Sequence, residues 1–389
     1  MSGEKKKKKA WVKYIAIGVY LAICFVIGVK LGKEIGSDIK KGESLSNKLI
    51  SYVWAYIWLI VSVYLHIIIH EAGHLVFGLM SGYKFSSFRI MSFMWLNENG
   101  KIKYKRLKVA GMGGQCLMAP PDLKDGKIPV VLCNLGGSLM NFIASAAAFF
   151  VLVCVIVIKG GIGAISDSFL IIVVIFVAIG LFLAVSNAVP LKTGTINNDG
   201  YNTVALRKSK AAMFGYWMQL KMNAEIAKGR RLKEMPAEWF VVPSDEDMKN
   251  AMAATIAVYA CNRLMDEGKY EEAYRLMNHI LKMDSGIVEL HRDLLTCDCM
   301  YCEMIGENRR EIIDGMYTNK LKKLMNAMKK FPSVIRTEYA YALFVENDEK
   351  KAEKKLEFFE KAMKKYPYES DIQSERELME YAREKYNQQ

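Results

Sequence analysis

The sequence lacks the usual features of a secreted or nucleic-acid-binding protein. Its eight cysteines are too dispersed over 389 residues for a small disulfide-bonded scaffold, so we expect reduced thiols. Although the net charge is +13, the second half has no recognised basic motif with interleaved aromatic residues, and we expect no nucleic-acid partner. No small-residue cleavage site closes the first apolar run, which therefore predicts a retained span. The cysteines are Cys24, Cys116, Cys133, Cys154, Cys261, Cys297, Cys299 and Cys302.

Charge is also scarce in four long runs, all before residue 191. A helix needs about 20 apolar residues to cross the hydrocarbon core of a bilayer, and each run is long enough. The second half is rich in Glu and Lys instead. The sequence therefore predicts a mainly α protein, with a polytopic membrane helical bundle in residues 1–204 and a cytosolic helical domain in residues 205–389. The four runs are 11–32, 49–80, 129–158 and 168–190.

Basic residues predict the orientation of these spans. The run Lys5–Lys9 precedes the first span, and the linker Tyr83–Lys127 between the second and third is also rich in Lys and Arg. Positive segments favour the cytoplasmic side, and an even number of spans places both termini there. We expect a multi-pass protein of a bacterial cell membrane with cytoplasmic N- and C-termini.

A small β element is predicted in the linker between the second and third spans. Phe85–Leu96 and Lys101–Val109 contain β-branched and aromatic residues, and Asn97–Gly100 supplies a turn between them. This pattern indicates a β-hairpin. The glycines near residue 113 and Pro120-Pro121 predict an irregular loop after it.

The second half has the pattern of amphipathic helices in water. Apolar stripes with Glu and Lys faces occur in Tyr270–Met283, Asn319–Phe331 and Ala352–Tyr366. The Gly268–Ala273 segment and the Phe-Pro and Tyr-Pro steps resemble tetratricopeptide-type helical hairpins. Such an array is a candidate surface for a protein partner.

Histidine is rare, yet three of the five histidines fall within nine residues of one apolar run. His70-Glu71-Ala72-Gly73-His74 is an HExxH motif, which places two imidazoles on one helix face where they can hold zinc. Glu71 is then the candidate general base towards a water that the metal polarises. Ionisable residues in an apolar span are costly and indicate function. His66, one turn earlier, is an alternative ligand or a polar residue that lines the cavity.

Three segments together resemble the site-2 protease family of intramembrane zinc metalloproteases. They are the HExxH motif in an apolar run, Gly137-Ser138-Leu139-Met140-Asn141, and Asn187-Ala188-Val189-Pro190 leading to Asp199-Gly200. An open catalytic zinc needs a third protein ligand, and the resemblance implies that Asp199 provides it for one Zn²⁺ per chain. Without that role, Asp199 would cap the following helix. The family usually has a shorter segment before the Asp-Gly pair and an apolar residue at the position of Asn198.

Other polar residues have weaker assignments. Asn141 and Asn187 lie in apolar runs, where each is a candidate to bind the substrate or an oxyanion, or to join helices. The cluster Cys297-Asp-Cys299-Met-Tyr-Cys302 resembles a metal site. No second CxxC accompanies it, so ordinary helix packing is the favoured interpretation.

The expected function is hydrolysis of peptide bonds in transmembrane or signal-peptide-like substrates, near the cytoplasmic side of the bilayer. The expected partners are such a substrate, the lipid bilayer and a protein bound by the C-terminal helices. One alternative is a catalytically inactive membrane scaffold or chaperone of the same fold. The other is a zinc protease that takes a glutamate as its third ligand.

Overall fold

The computed structural model describes residues 45–98, 100–109, 113–191 and 198–388 of the chain. This part of the chain forms thirteen α-helices and a four-stranded antiparallel sheet. The mainly helical fold class is therefore confirmed.

Within the described residues, three helices are long and apolar enough to cross a membrane: α1 (Leu45–Met80), α2 (Val130–Ile158) and α3 (Asp167–Ala188). Large apolar side chains on them are exposed, such as Phe150 at 67% and Ile158 at 80%. Apolar surface of this extent is consistent with association with a membrane. These helices match three of the four predicted spans, and the predicted span 11–32 lies outside the described residues.

The apolar helices form one compact unit, which contains residues 45–74, 135–191 and 198–201. Two glycines let α1 and α2 pack closely. A Cβ atom added at Gly73 of α1 would lie 2.3 Å from the carbonyl oxygen of Gly136 in α2. Any larger side chain at Gly73 would force the helices apart.

The sheet lies in the second compact unit, and its strands are β1 (Lys84–Ile90), β2 (Phe93–Glu98), β3 (Lys101–Arg106) and β4 (Gly114–Ala119). They lie in the order β3-β2-β1-β4. The predicted hairpin is present, because β2 and β3 pair antiparallel across the predicted turn at Asn97–Gly100. Its first predicted strand, 85–96, is wrong as one continuous strand, because the chain reverses at Met91, whose φ is +54°. The glycine-rich loop prediction is also wrong from residue 114, where β4 pairs with β1.

The remaining helices follow from residue 199, and those after residue 250 form an array of packed helices. The helices are α4 (Asp199–Lys208), α5 (Lys210–Ala227), α6 (Ala251–Asp266), α7 (Tyr270–Lys282), α8 (Glu289–Ile305), α9 (Arg310–Met316), α10 (Asn319–Ala327), α11 (Pro332–Phe344), α12 (Glu349–Met363) and α13 (Glu369–Asn387). Helix α6 packs on α7, α7 on α8, and α11 on both α8 and α12. The last helix, α13, packs against α8 and α11.

The sheet packs on this helical array. Met94 and Leu96 of β2 are fully buried in the same apolar core as the array helices. The backbone N–H of Arg106 donates to the carbonyl of Lys365 at 2.9 Å. Residues 75–134 thus group with the C-terminal helices, although they precede the boundary at 204/205 that the composition predicts.

Candidate metal centre

The two histidines of the HExxH motif face each other from successive turns of α1. The rings of His70 and His74 lie edge to face, with centroids 4.7 Å apart and an interplanar angle of 86°. Their Nε2 atoms are 3.1 Å apart. The helical spacing therefore brings two imidazole nitrogens to one point, as the sequence predicts.

Asp199 brings a carboxylate oxygen to the same point. Its Oδ2 lies 3.1 Å from Nε2 of His70 and 3.4 Å from Nε2 of His74. Burial would raise the pKa of Asp199, but hydrogen bonding to the two histidines outweighs burial and holds that pKa well below its usual range. The carboxyl group is therefore ionised at neutral pH and is a suitable metal ligand.

The three atoms fit a zinc ion. In a tetrahedral site with bonds of about 2.0–2.1 Å, two ligand atoms lie about 3.3 Å from each other. The distances of 3.1–3.4 Å among the two Nε2 atoms and Oδ2 are close to that value. In the described part of the chain, His70, His74 and Asp199 thus form a group of three potential metal ligands.

Asn198 fixes the backbone from which Asp199 projects. Its amide nitrogen donates to the carbonyls of Ser186 at 2.8 Å and Val189 at 2.6 Å, which lie at the end of α3. Its amide oxygen accepts from the N–H groups of Leu191 at 3.0 Å and Tyr201 at 2.9 Å. One side chain thus joins the C-terminus of α3 to the start of α4.

Two further glycines allow close packing around the centre. A Cβ atom at Gly137 of α2 would lie 2.5–2.6 Å from the ring of His70. At Gly200, next to the ligand Asp199, a Cβ atom would lie 2.1 Å from the carbonyl oxygen of Ala188. These contacts explain why glycine stands in the Gly137–Asn141 segment and in the Asp-Gly pair.

The other predicted site residues lie in different environments. Glu71 is 9% exposed and follows His70 in α1. Asn141 is fully buried, with its amide between His66 and His70. The amide nitrogen of Asn187 donates to the carbonyl of Leu183 in its own helix at 3.0 Å. Their roles in catalysis or substrate binding stay predictions.

His66 is outside the group of three ligands. Its Nδ1 lies 3.1 Å from the amide oxygen of Asn141, and its Nε2 lies 2.9 Å from the carbonyl oxygen of Phe176. The sequence suggested its polar role but not these partners, which come from two other helices. Asn198 was missed as a structural residue, and its position next to the Asp-Gly pair was the available signal.

The cysteine cluster of α8 lies in the apolar core of the helical array. Cys297, Cys299 and Cys302 are all buried, and burial raises the pKa of each thiol, that of Cys302 to about 12. Such thiols stay protonated at neutral pH, whereas metal ligation needs the thiolate. Their environment agrees with helix packing.

No protein-family model matches the chain, and no curated protein or solved structure is significantly similar to it. The resemblance to site-2 proteases consequently depends on the motif residues alone and stays a prediction.

Proposed function

We propose that the chain is an intramembrane zinc metalloprotease of the site-2 type. The observation that carries this proposal is the convergence of Nε2 of His70, Nε2 of His74 and Oδ2 of Asp199 within 3.1–3.4 Å of one another. Asp199 supports this type over a protease with a glutamate ligand, because the carboxylate in the group is an aspartate.

Each residue of the centre has a distinct task in this proposal. His70, His74 and Asp199 hold one zinc ion, which when bound supplies a Lewis acid that polarises a carbonyl and makes water more acidic. Glu71 accepts a proton from the attacking water at a carboxylate oxygen and later donates it to the nitrogen of the departing amine. Its position next to His70 in α1 supports this role.

The apolar surroundings favour a substrate from the membrane. The two histidines lie in α1, whose candidate span is Tyr52–Met80. This helix contacts α2 at Gly73 and α3 at His66, and both of these helices are long enough to cross a bilayer. We propose that the substrate is a transmembrane segment or a signal-peptide-like segment, cut near the cytoplasmic side. The helical array is the proposed surface for a partner that presents or restrains this substrate.

The test combines metal content with cleavage. Purified wild-type protein should contain one zinc per chain, and His70→Ala, His74→Ala and Asp199→Ala should each lose it. Glu71→Gln should keep the zinc, because it alters no ligand, but reduce cleavage by at least about 100-fold, since general base catalysis contributes that much. Cleavage is measured in liposomes with tagged single-span proteins and signal peptides.

The variants also separate the rival interpretations. Unchanged cleavage by Glu71→Gln would contradict its role as the base, and retained zinc and activity in Asp199→Ala would contradict the site-2 type. Zinc binding by the wild-type protein without cleavage of any peptide in the panel would instead favour the inactive scaffold.

A further inference from the structure

Two histidines on α1 are connected through a side chain of α2. Nδ1 of His66 lies 3.1 Å from Oδ1 of Asn141, and Nδ1 of His70 lies 3.5 Å from Nδ2 of the same amide. His66 and Asn141 are both fully buried. The amide thus connects the candidate metal ligand His70 to a second histidine that is away from the metal.

The side chain of His66, at the other end of this connection, is closely packed. The ring of His66 packs on Phe176 with centroids 4.2 Å apart, and its Nε2 lies 2.9 Å from the carbonyl oxygen of that residue. A Cβ atom at Gly180 would lie 2.3 Å from the ring of His66, so glycine is required there. The hydroxyl of Ser145 donates to the carbonyl of Asn141 at 2.8 Å and holds that turn of α2.

The direction of the hydrogen bonds matters for metal binding. Nε2 of His70 is the atom that faces His74 and Asp199, so a metal must bind there. In the neutral ring the proton is then on Nδ1, which needs an acceptor. Asn141 is the residue that faces Nδ1.

The amide of Asn141 has two orientations, which exchange its oxygen and nitrogen. With the nitrogen towards His70, as the atoms stand, His70 carries its proton on Nε2 and donates it to Asp199. His66 must then donate from both ring nitrogens, to Asn141 and to the carbonyl of Phe176, and is a buried cation. A buried charge is costly, and this orientation also occupies the nitrogen that the metal needs.

The opposite orientation satisfies His66, Asn141 and His70 when a metal is bound at Nε2 of His70. Nδ1–H of His70 donates to the amide oxygen of Asn141, the amide nitrogen donates to Nδ1 of His66, and Nε2–H of His66 donates to the carbonyl of Phe176. Both histidines are neutral, and the lone pair of Nε2 of His70 is directed to the metal. A turn of the amide by 180° about its Cβ–Cγ bond achieves this with the helices in place.

We propose that Asn141 and His66 are positioning residues that select the metal-binding tautomer of His70. This inference depends on the proposed zinc site but not on the identity of the substrate. Asn141 accepts the proton of the ligand ring, and His66 holds the amide in the orientation in which it can accept.

The first test compares two substitutions of Asn141 of similar size. Asn141→Leu removes the acceptor and should weaken zinc binding about 10- to 100-fold, the usual effect of losing such a partner. Asn141→Asp keeps an acceptor for Nδ1–H and should bind zinc within a few-fold of the wild-type protein. A purely structural role predicts the reverse order, because leucine suits an apolar span and a carboxylate does not. The zinc dissociation constant is measured by competition with a chromophoric chelator.

The second test examines His66 and the tautomer itself. His66→Phe leaves the amide nitrogen of Asn141 without its acceptor and should weaken zinc binding about tenfold. His279→Phe is the matched control, since His279 is exposed on the helical array, 2.9 Å from Asp245. In zinc-loaded protein labelled with ¹⁵N-histidine, the Nδ1–H signal of His70 should be that of a hydrogen-bonded group, and should lose this character in Asn141→Leu.

The outcomes distinguish this inference from the proposed function. If wild-type protein binds zinc through His70 and Asn141→Leu binds it equally well, the inference fails and the zinc site stands. If wild-type protein binds no zinc, both fail. A variant that has lost its fold is recognised by the loss of helical circular dichroism, and the comparison of His66→Phe with its control then decides.

Discussion

Two buried arginines each lie between two carboxylates in the helical array. Arg336 is 1% exposed and contacts Asp298 and Glu375, and Arg231 contacts Asp266 and Glu377. A buried charge of this kind is tolerated when it is paired, and removal of one partner is strongly destabilising.

Asp371 in α13 has a different environment. The hydroxyl of Tyr366 donates to its Oδ2 at 3.1 Å. Burial, together with the nearby carboxylates of Glu375 and Asp266, raises the pKa of Asp371 from 3.8 to about 7, although the hydrogen bond from Tyr366 opposes the shift. The folded protein therefore keeps this proton at a pH at which the unfolded chain releases it.

We predict that Asp371→Asn makes the array more stable at pH 8 than the wild-type array. Between about pH 4 and about pH 7 the unfolded chain binds fewer protons than the folded one, so the wild-type protein loses stability as the pH rises. This stability is not regained above about pH 7. The slope is at most about 1.4 kcal/mol per pH unit. Asparagine cannot ionise, so the difference in stability between Asp371→Asn and the wild-type protein should increase as the pH rises.

This prediction is checked by hydrogen exchange of peptides from α8, α11 and α13 at pH 5 and pH 8, after correction for the intrinsic pH dependence of exchange. Asp314→Asn, at an exposed position of α9, is the control and should behave as the wild-type protein. An equal pH dependence of Asp371→Asn and the wild-type protein would contradict the raised pKa.

At the scale of the elements, the crossing of α1 and α2 determines the geometry of the candidate metal centre. Gly73 lies between the two ligand histidines in α1, and its backbone is in close contact with Gly136 and Met140 of α2. The same crossing brings Asn141 next to His70.

We predict that Gly73→Ala weakens both the helix packing and zinc binding. The added methyl would lie 2.3 Å from the carbonyl oxygen of Gly136, so the helices must separate. Overpacking of this kind costs about 1–3 kcal/mol, and about 1.4 kcal/mol corresponds to a tenfold change in affinity. The measurements are thermal unfolding and zinc titration. A Cβ atom at Gly163 meets nothing within 4 Å, so Gly163→Ala should leave both unchanged, and unchanged zinc binding in Gly73→Ala would contradict the close crossing.

The sequence predicts the helices better than the strands. Three spans could be found because length and hydropathy alone define them, and their bounds agree with α1, α2 and α3 within a few residues. The sheet could not be predicted in full, because the reversal at Met91 contains neither glycine nor proline and β4 begins at a glycine. His70 and His74 follow from helical spacing, whereas the contacts of His66, Asn141 and Asn198 join distant segments and have no spacing that a sequence could show.

At the scale of the whole molecule, the segment between α1 and α2 belongs structurally to the C-terminal half. Leu107 joins Met94 and Leu96 in the core that the array helices form. A change in composition along the chain cannot reveal such contacts, because they connect residues that are far apart in sequence. The boundary at 204/205 therefore separates two compositions and does not describe the packing of residues 75–134.

We predict that Leu96→Ala destabilises the sheet and the array together. Leu96 is 1% exposed, and its truncation leaves a cavity, which costs about 2–5 kcal/mol for a buried leucine. Hydrogen exchange should accelerate in β1 and β2 and also in the array helices. Ile102→Ala on β3 is the matched control, because Ile102 is 57% exposed and should give a change below about 0.5 kcal/mol. Acceleration in the sheet alone would show that the two parts unfold independently.

The amide of Asn198 clamps the end of α3 to the start of α4 through four hydrogen bonds, and this amide clamp has a consequence for how the chain can vary in evolution. The polypeptide leaves the clamp at Leu191 and returns to it at Asn198, with the two residues joined by a hydrogen bond of 3.0 Å. An apolar residue at position 198 would remove all four hydrogen bonds of this amide, so variants that keep Asp199 in place should also keep an amide side chain at position 198.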